Sequence, residues 1–367
     1  MKPTLVFVGF ALLSGAVLVV PATVGAALPR EPVTSLKGLD PVALSQGREE
    51  PGLPDLAVTR GRYRYLFGSA QNLATFNSDP DRYQIQLGGG CGRMGPTSGL
   101  GSPDRFWVHY GRIYIFASDQ CRDAFKAAPD LHIESDEPAP TGSSAELQRG
   151  RELVERMLVG FGGAAKVDAI ASLELKRVRP YQADGASREQ ATFSRILLPG
   201  GFRIDEVWHN GAVHDFVFSG AGFRVASDGA WPMEELVRRE FIKAFRRHPL
   251  VLLKARSEPG FQAVAAGRSK VGGRAVEWLA IGLDGATTTL GIDAATGRVL
   301  SVRFRSRAPS AIGTVTRNFS DFREVDGITL PFAVATAYND APAGEPRVYA
   351  EVRVNPNFAP ALFAAPE

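Results

Sequence analysis

Few residues in this chain belong to types that do chemistry, and their spacing limits what that chemistry is. Cys91 and Cys121 are the whole cysteine complement, which excludes a disulfide-rich scaffold and a four-cysteine zinc site. Three readings of the pair stay open. In an oxidising compartment they form a disulfide, worth roughly 3.6 kcal/mol by loop-closure entropy. Alternatively they bind a soft ion such as Cu(I), with Met94 or His109 as third ligand. In the third reading they are separate thiols, one in a glycine-rich turn and one on a helix. His209 and His214 flank the turn dipeptide Asn210-Gly211, which sets them diagonally on one face of a hairpin, while Asp215 points to the other. Two histidines without a third ligand make a poor metal or acid–base site. Glu234 and Glu235 are helix neighbours that do not face each other, so their expected role is to favour a helix N-terminus. The chain contains no G-x-S-x-G, H-E-x-x-H or P-loop, and no catalytic residue is assigned.

Composition narrows the class further. The 367 residues suffice for two domains, and 44% apolar with 22% charged residues is the profile of a folded globular protein. Lys plus Arg is 42 against 39 Asp plus Glu, without a basic run, which argues against nucleic acid as the main partner. At the N-terminus, Lys2 precedes the apolar stretch Thr4–Val20, then Pro21 and the small residues Val24-Gly25-Ala26. Residues 1–26 thus read as a signal peptide, with a mature chain from about Ala27 in the periplasm or secreted. An uncleaved anchor is the alternative, because no charge stands between Lys2 and Arg30.

The elements that must position these residues fall into two domains. Residues 134–145 (ESDEPAPTGSSA) form a polar linker, and Ser143 with Glu146 has capping-box spacing. Residues 33–133 before it are a small α+β domain with a degenerate repeat. Tyr65, Phe67, Ser69, Gln71, Phe76 and Pro80 recur 49 positions later as Tyr114, Phe116, Ser118, Gln120, Phe125 and Pro129. Each copy reads as a strand, a capping Ser and a short helix that buries its Phe and stops before Pro. The two units are expected to pack around one small core.

With Gly38-Leu-Asp-Pro-Val-Ala43 and Gly88-Gly-Gly-Cys91, this region resembles the YHS domain family. Metal-handling members of that family carry Cys after Asp-Pro-Val and again around the helix. Here those positions hold Ala43, Ala117 and Asn72, and Cys121 alone matches. The resemblance implies an accessory module for a metal or a partner protein.

Residues 146–367 read as one helix, Glu146–Phe161, stopped by Gly162-Gly163, and then about a dozen short antiparallel strands between Leu173 and Val354. A second helix is expected over Trp231–Arg247, with Pro232 in its first turn and an apolar stripe of Met233, Val237, Phe241 and Ala244. A long antiparallel sheet buries one face most simply by curling around such helices. The stretches Gly162–Leu173, Ile292–Leu300 and Phe319–Phe332 resemble the lipoprotein-carrier (LolA/LolB-type) superfamily of the bacterial envelope. That resemblance implies an unclosed β-barrel with a helical lid over an apolar cavity, hence an exported, non-enzymatic binder of a hydrophobic small molecule or lipid without a cofactor. The residues expected to line it are Phe202, Val207, Phe216, Phe218, Trp231, Met233, Val237, Phe241, Trp278, Leu290 and Phe304. Two alternatives accompany this reading: a periplasmic metal or redox protein using Cys91 and Cys121, and a structural adaptor whose barrel is filled by its own side chains. The Trp231–Arg247 helix, basic on one face, is a candidate membrane contact, and another envelope protein is a further candidate partner.

Overall fold

The computed structural model describes residues 31–96, 100–133, 135–226, 229–307 and 311–364; the expected signal peptide lies outside them. The repeat read in the sequence is drawn twice in the N-terminal domain. Strands β1 (Leu53–Arg60) and β2 (Tyr63–Phe67) form a hairpin followed by α1 (Ala70–Ser78). Strands β3 (Ser102–His109) and β4 (Arg112–Phe116) form a second, followed by α2 (Asp119–Ala127). Ser69 Oγ accepts the Asn72 N–H at 3.1 Å, and Ser118 Oγ accepts the Cys121 N–H at the same distance. Both hairpins shift register at equivalent places, Leu53/Ala57 and Ser102/Phe106. Alternation sets Tyr65 and Phe67 on one face of β2, and Phe76 from α1 lies 5.1 Å from each ring. Phe125 meets Tyr114 and Phe116 in the same way, at 5.0 and 5.2 Å.

The expected single core is two. Ile113 and Ile115 of β4 belong to the cluster around Phe76, whereas Tyr114 and Phe116 belong to that around Phe125. A strand's period of two sends neighbouring residues to opposite faces, so β4 is a wall shared by both clusters. The Asp-Pro-Val-Ala motif acts through its carboxylate. Buried Asp40 caps the turn after it by accepting from Val42 and Ala43, and it also accepts from the Gly68 N–H and Asn72 Nδ2, both at 2.7 Å. Asn72, the counterpart of Cys121 in the first repeat, is therefore Asp40's hydrogen-bond partner.

In the C-terminal domain α3 (Ser144–Phe161) opens with the capping box of Ser143 and Glu146 and ends at Gly162, whose φ of 115° suits only glycine. Among the described residues fifteen strands follow, two of them only two residues long. Strands β5 (Ser172–Ala183), β6 (Ala186–Leu197), β7 (Gly201–Trp208), β8 (Gly211–Phe218), β9 (Ala221–Ala226) and β10 (Gly229–Pro232) form an antiparallel meander. Two helices intervene, α4 (Glu235–Arg246) and α5 (Pro249–Lys254). A second meander runs through β11 (Gln262–Val271), β12 (Arg274–Leu283), β13 (Ala286–Asp293), β14 (Val299–Arg307), β15 (Ile312–Val325) and β16 (Ile328–Tyr338). The chain then changes sheets. The Tyr349 N–H bonds to Phe332 O of the second sheet, the next N–H, of Ala350, bonds to Lys176 O of the first, and β17 (Glu351–Val354) pairs with β5. The result is the expected unclosed antiparallel half-barrel with α3, α4 and α5 against its inner face.

Two expectations change, both on the second helix. The second helix starts at Glu235, because Trp231 and Pro232 lie on β10, paired with Arg224 and Phe223. Its basic side is consumed in ion pairs: Arg239 and Lys243 hold Asp136, Arg238 holds Glu235, and Arg246 holds Glu258 and Asp284. Its apolar side is in the core through Phe241 and Phe245, so neither half resembles a helix free to lie on a membrane. The polar linker is fastened along the half-barrel, with the Glu137 N–H on Gly285 O and its carboxylate on the Thr287 N–H, both at 2.8 Å.

Candidate functional site

Where the chain changes sheets, the half-barrel leaves a cavity of about 200 Å³. Leu175, Ile196 and Ile204 wall it from the first sheet, Val302, Phe319, Leu330 and Val334 from the second, and Ala244, Phe245 and Pro249 roof it from α4 and α5. The polar groups on its lining are Ser194, Arg247, His248, Arg317, Arg347 and Tyr349. An engineered cavity of about 150 Å³ holds a benzene ring, whereas drug-sized ligands occupy roughly 300 Å³ or more. In the present position of α4 and α5 the space suits one ring or a short acyl segment.

Arg317 reaches this lining because β15 alternates Val315, Arg317 and Phe319 on its inner face. Burial holds its guanidinium below its ordinary pKa, and Arg347 and Arg247 act in the same direction. Both Arg317 and Arg247 lie over the Phe304 ring, at 5.0 and 4.7 Å from its centroid. Burial, with Arg317 beside it, pushes His248 down to about 4, so its imidazole is neutral at pH 7. Its Nδ1 accepts the Leu250 N–H at 3.3 Å, which places the proton on Nε2.

None of the eleven expected residues lines this cavity. Phe202, Phe241 and Leu290 are on the inner face but fully packed in the core, and Phe304 borders a smaller polar hollow shared with Arg317 and Arg347. Val207, Phe216, Phe218 and Trp278 are on the outer face. Val207 and Phe218 are about two-fifths exposed, Phe216 packs on Phe223 and Arg203, and Trp278 bonds Ser269 under Arg303. The physical reason is parity: Phe202 and Ile204 face in on β7, so Val207 faces out, and Val217 facing in on β8 turns Phe216 and Phe218 out. Arg317 was legible in the same terms, as an arginine between two apolar residues of identical parity.

Trp231, Met233 and Val237 gather instead in a cleft of about 50 Å³ between the two domains, with Arg62 and Glu234. Arg62 covers the Trp231 ring at 4.9 Å, and Glu234 accepts the Gly88 N–H at 3.0 Å rather than serving its own helix. Burial pushes the Glu234 carboxyl up to about 7, with Asp81 adding to the shift and Arg60 opposing it. The folded protein therefore binds this proton more tightly than the unfolded chain. The associated stability is full below about 4.5 and is lost as pH rises through about 7. Glu234→Gln is expected to remove that slope and to gain about 1–3 kcal/mol at pH 8, read from thermal melts across this range. A wild-type melting curve flat between pH 4.5 and 7.5 would contradict it.

Cys91 and Cys121 are free, buried thiols in one cluster. Cys91 Sγ accepts the Ala117 N–H at 3.4 Å. Burial opposes ionisation of Cys121, but hydrogen bonds with Ser118, Arg93 and Cys91 outweigh it and hold the thiol below its ordinary pKa. Met94 packs against the same cluster, while His109 Nε2 lies 3.7 Å from an Asp130 oxygen, beyond hydrogen-bond distance. Among the described residues no group of three or more His, Cys, Asp or Glu is placed to hold a metal ion.

The two histidines of the β7–β8 hairpin are separated. His209 is in the turn itself, against Tyr181 and Asp184, while His214 Nδ1 meets Asp205 at 2.6 Å. Burial, with Arg203 and Arg195 nearby, pushes His214 down to about 4. Asp215 does face the other way, where it holds Arg224.

No protein-family model and no curated protein matches this chain. Solved structures do. A DUF1329 family protein from Desulfovibrio piger is 11% identical with a TM-score of 0.41, over 60% of this chain and 97% of that one. A LolA superfamily protein from Nitrosomonas europaea is 10% identical with a TM-score of 0.39, over 59% of this chain and 97% of that one.

Proposed function

We propose that this chain is a non-enzymatic binding protein of the cell envelope whose half-barrel holds the apolar part of a lipid. The carrying observation is the apolar cavity at the change of sheets, roofed by two short helices. No catalytic group is needed for such binding: burying a sixteen-carbon chain is worth on the order of 12 kcal/mol gross. A whole chain exceeds the present space, so uptake requires α4 and α5 to move outward, and the ion pairs from α4 to Asp136, Glu258 and Asp284 are the contacts that resist it. The YHS-like domain is the accessory module, seated on the start of α4 through Gly88 and Glu234.

Native mass spectrometry of the protein purified from envelopes without detergent tests this. An adduct of lipid mass that dissociates on gentle activation is the expected result. Val302→Trp, which fills the cavity from the second sheet, is expected to abolish the adduct with little change in circular dichroism. A clean protein mass, together with no uptake of added lipid by the wild type, would instead leave the self-filled adaptor. A second reading, a redox or metal-handling N-terminal domain, rests on the contact between Cys121 and Cys91, and thiol titration with metal analysis checks it.

A further inference from the structure

We propose that Arg247, Arg317 and Arg347, with the His248 Nε2–H, form a headgroup site for a single-chain anionic amphiphile whose tail enters the apolar part of the same cavity. This rests on the binding reading above and names the class of ligand. All four side chains line one cavity whose remaining walls are mostly apolar. Among the described residues that line it, or the adjoining hollow at Phe304, there is no Asp or Glu. Elsewhere the cations of α3 and α4 are matched: Glu277 holds Arg149 and Arg156, and Asp136 holds Lys243.

Arg247 is only 7% exposed. One of its terminal nitrogens bonds Arg305 O at 3.0 Å, and its Nε is buried without a partner. Cations gathered beside apolar walls repel one another and lose hydration, and a bound anion relieves both costs. Guanidinium groups suit a carboxylate or phosphate, which they grip through paired N–H donors, and neutral His248 adds one N–H. A single chain asks the smaller outward movement of α4 and α5, since the whole cavity of about 200 Å³ is below a drug-sized pocket. The polar and apolar parts of the cavity thus correspond to the two ends of one molecule, and a carboxylate or a monoester phosphate headgroup satisfies the same donors.

Calorimetric titration of delipidated full-length protein with palmitate, hexadecyl phosphate, hexadecanol and inorganic phosphate tests the site. Palmitate or hexadecyl phosphate is expected to bind at least tenfold more tightly than hexadecanol, and the tighter of the two identifies the headgroup. Inorganic phosphate is expected to bind at least a hundredfold more weakly than either. Arg317→Met is expected to weaken the anionic ligand 10- to 100-fold and leave hexadecanol unchanged, with Arg317→Lys in between. Its unliganded melting temperature should not fall, because it removes a poorly solvated charge. Should that variant fail to fold, Arg347→Ala, on an exposed segment, is expected to weaken the anionic ligand at least threefold. Equal binding of hexadecanol and palmitate overturns the headgroup site but leaves the apolar cavity reading standing. Phosphate binding as tightly as hexadecyl phosphate overturns the amphiphile. Binding of none of the four overturns both readings.

Discussion

Gly150→Ala and Gly160→Ala are each expected to destabilise the C-terminal domain by about 3 kcal/mol, seen as a lower urea midpoint at unchanged slope. Alanine is the better helix former by about 1 kcal/mol, so propensity alone predicts the opposite sign. Contact decides. Helix α3 lies on the second sheet so closely that a Cβ at Gly150 would enter the backbone of Ala263, and one at Gly160 the backbone of Gly297. Backbone cannot swing aside as a flexible side chain can, so the whole helix must lift and withdraw Leu153, Met157 and Phe161 from the core. Val159 on the same helix is 72% exposed, and Val159→Ala should be within about 0.5 kcal/mol of wild type. Midpoints for the glycine variants at or above wild type would show that the helix is not seated as described.

Glu277→Ala carries the second large effect, a loss of about 3 kcal/mol. Glu277 is 8% exposed on β12, under α3. It takes Arg149 bidentately, the shortest contact being 2.7 Å, and Arg156, two turns along the same helical face, at 2.9 Å. Truncation leaves Arg156 and Arg268 without that carboxylate and Arg149 with Glu152 alone. The hydrogen bonds from Arg149 hold the Glu277 carboxyl below its ordinary pKa despite burial. Its contribution is therefore present above about 4.5 and is lost as pH falls through the lowered value. Glu277→Gln keeps the volume and should flatten this acid limb, which denaturation midpoints between pH 3 and 6 would show. An unaltered acid limb in that variant would assign acid sensitivity elsewhere.

Much of the architecture was legible because its causes are local. The repeat of strand, Ser, helix and Phe is written in residues a few positions apart, and both copies fold as read. The capping box at Ser143 and the glycine stop at Gly162 depend on hydrogen bonds within a single turn. The turn at Asp293-Ala-Ala-Thr296, part of the half-barrel resemblance, closes on its own carboxylate, which accepts from Ala295 and from Thr296 twice. The helix over Trp231–Arg247 was placed but begun four residues early, because Pro232 is as acceptable at the end of an edge strand as in a first helical turn.

The site was less legible. Large aromatic residues were expected to line the cavity, but large side chains fill space, and those facing inward closed the core instead. What remains open is bounded by aliphatic residues from both sheets, by Phe245, Phe319 and Tyr349, and by a few polar ones.

By itself the sequence determined the repeated strand–Ser–helix unit, the antiparallel meander, the positions of most turns and the lack of any familiar catalytic motif, since each follows from periodicity and turn chemistry within a short window. Only the tertiary structure decided which face of each strand looks inward, that Trp231, Met233 and Val237 meet the N-terminal domain, and that Arg247, Arg317 and Arg347 converge. Those facts depend on register and on where the chain changes sheets at Tyr349 and Ala350. Register is settled by the joint burial of strands far apart in sequence, and one step of slip exchanges every inward residue for an outward one.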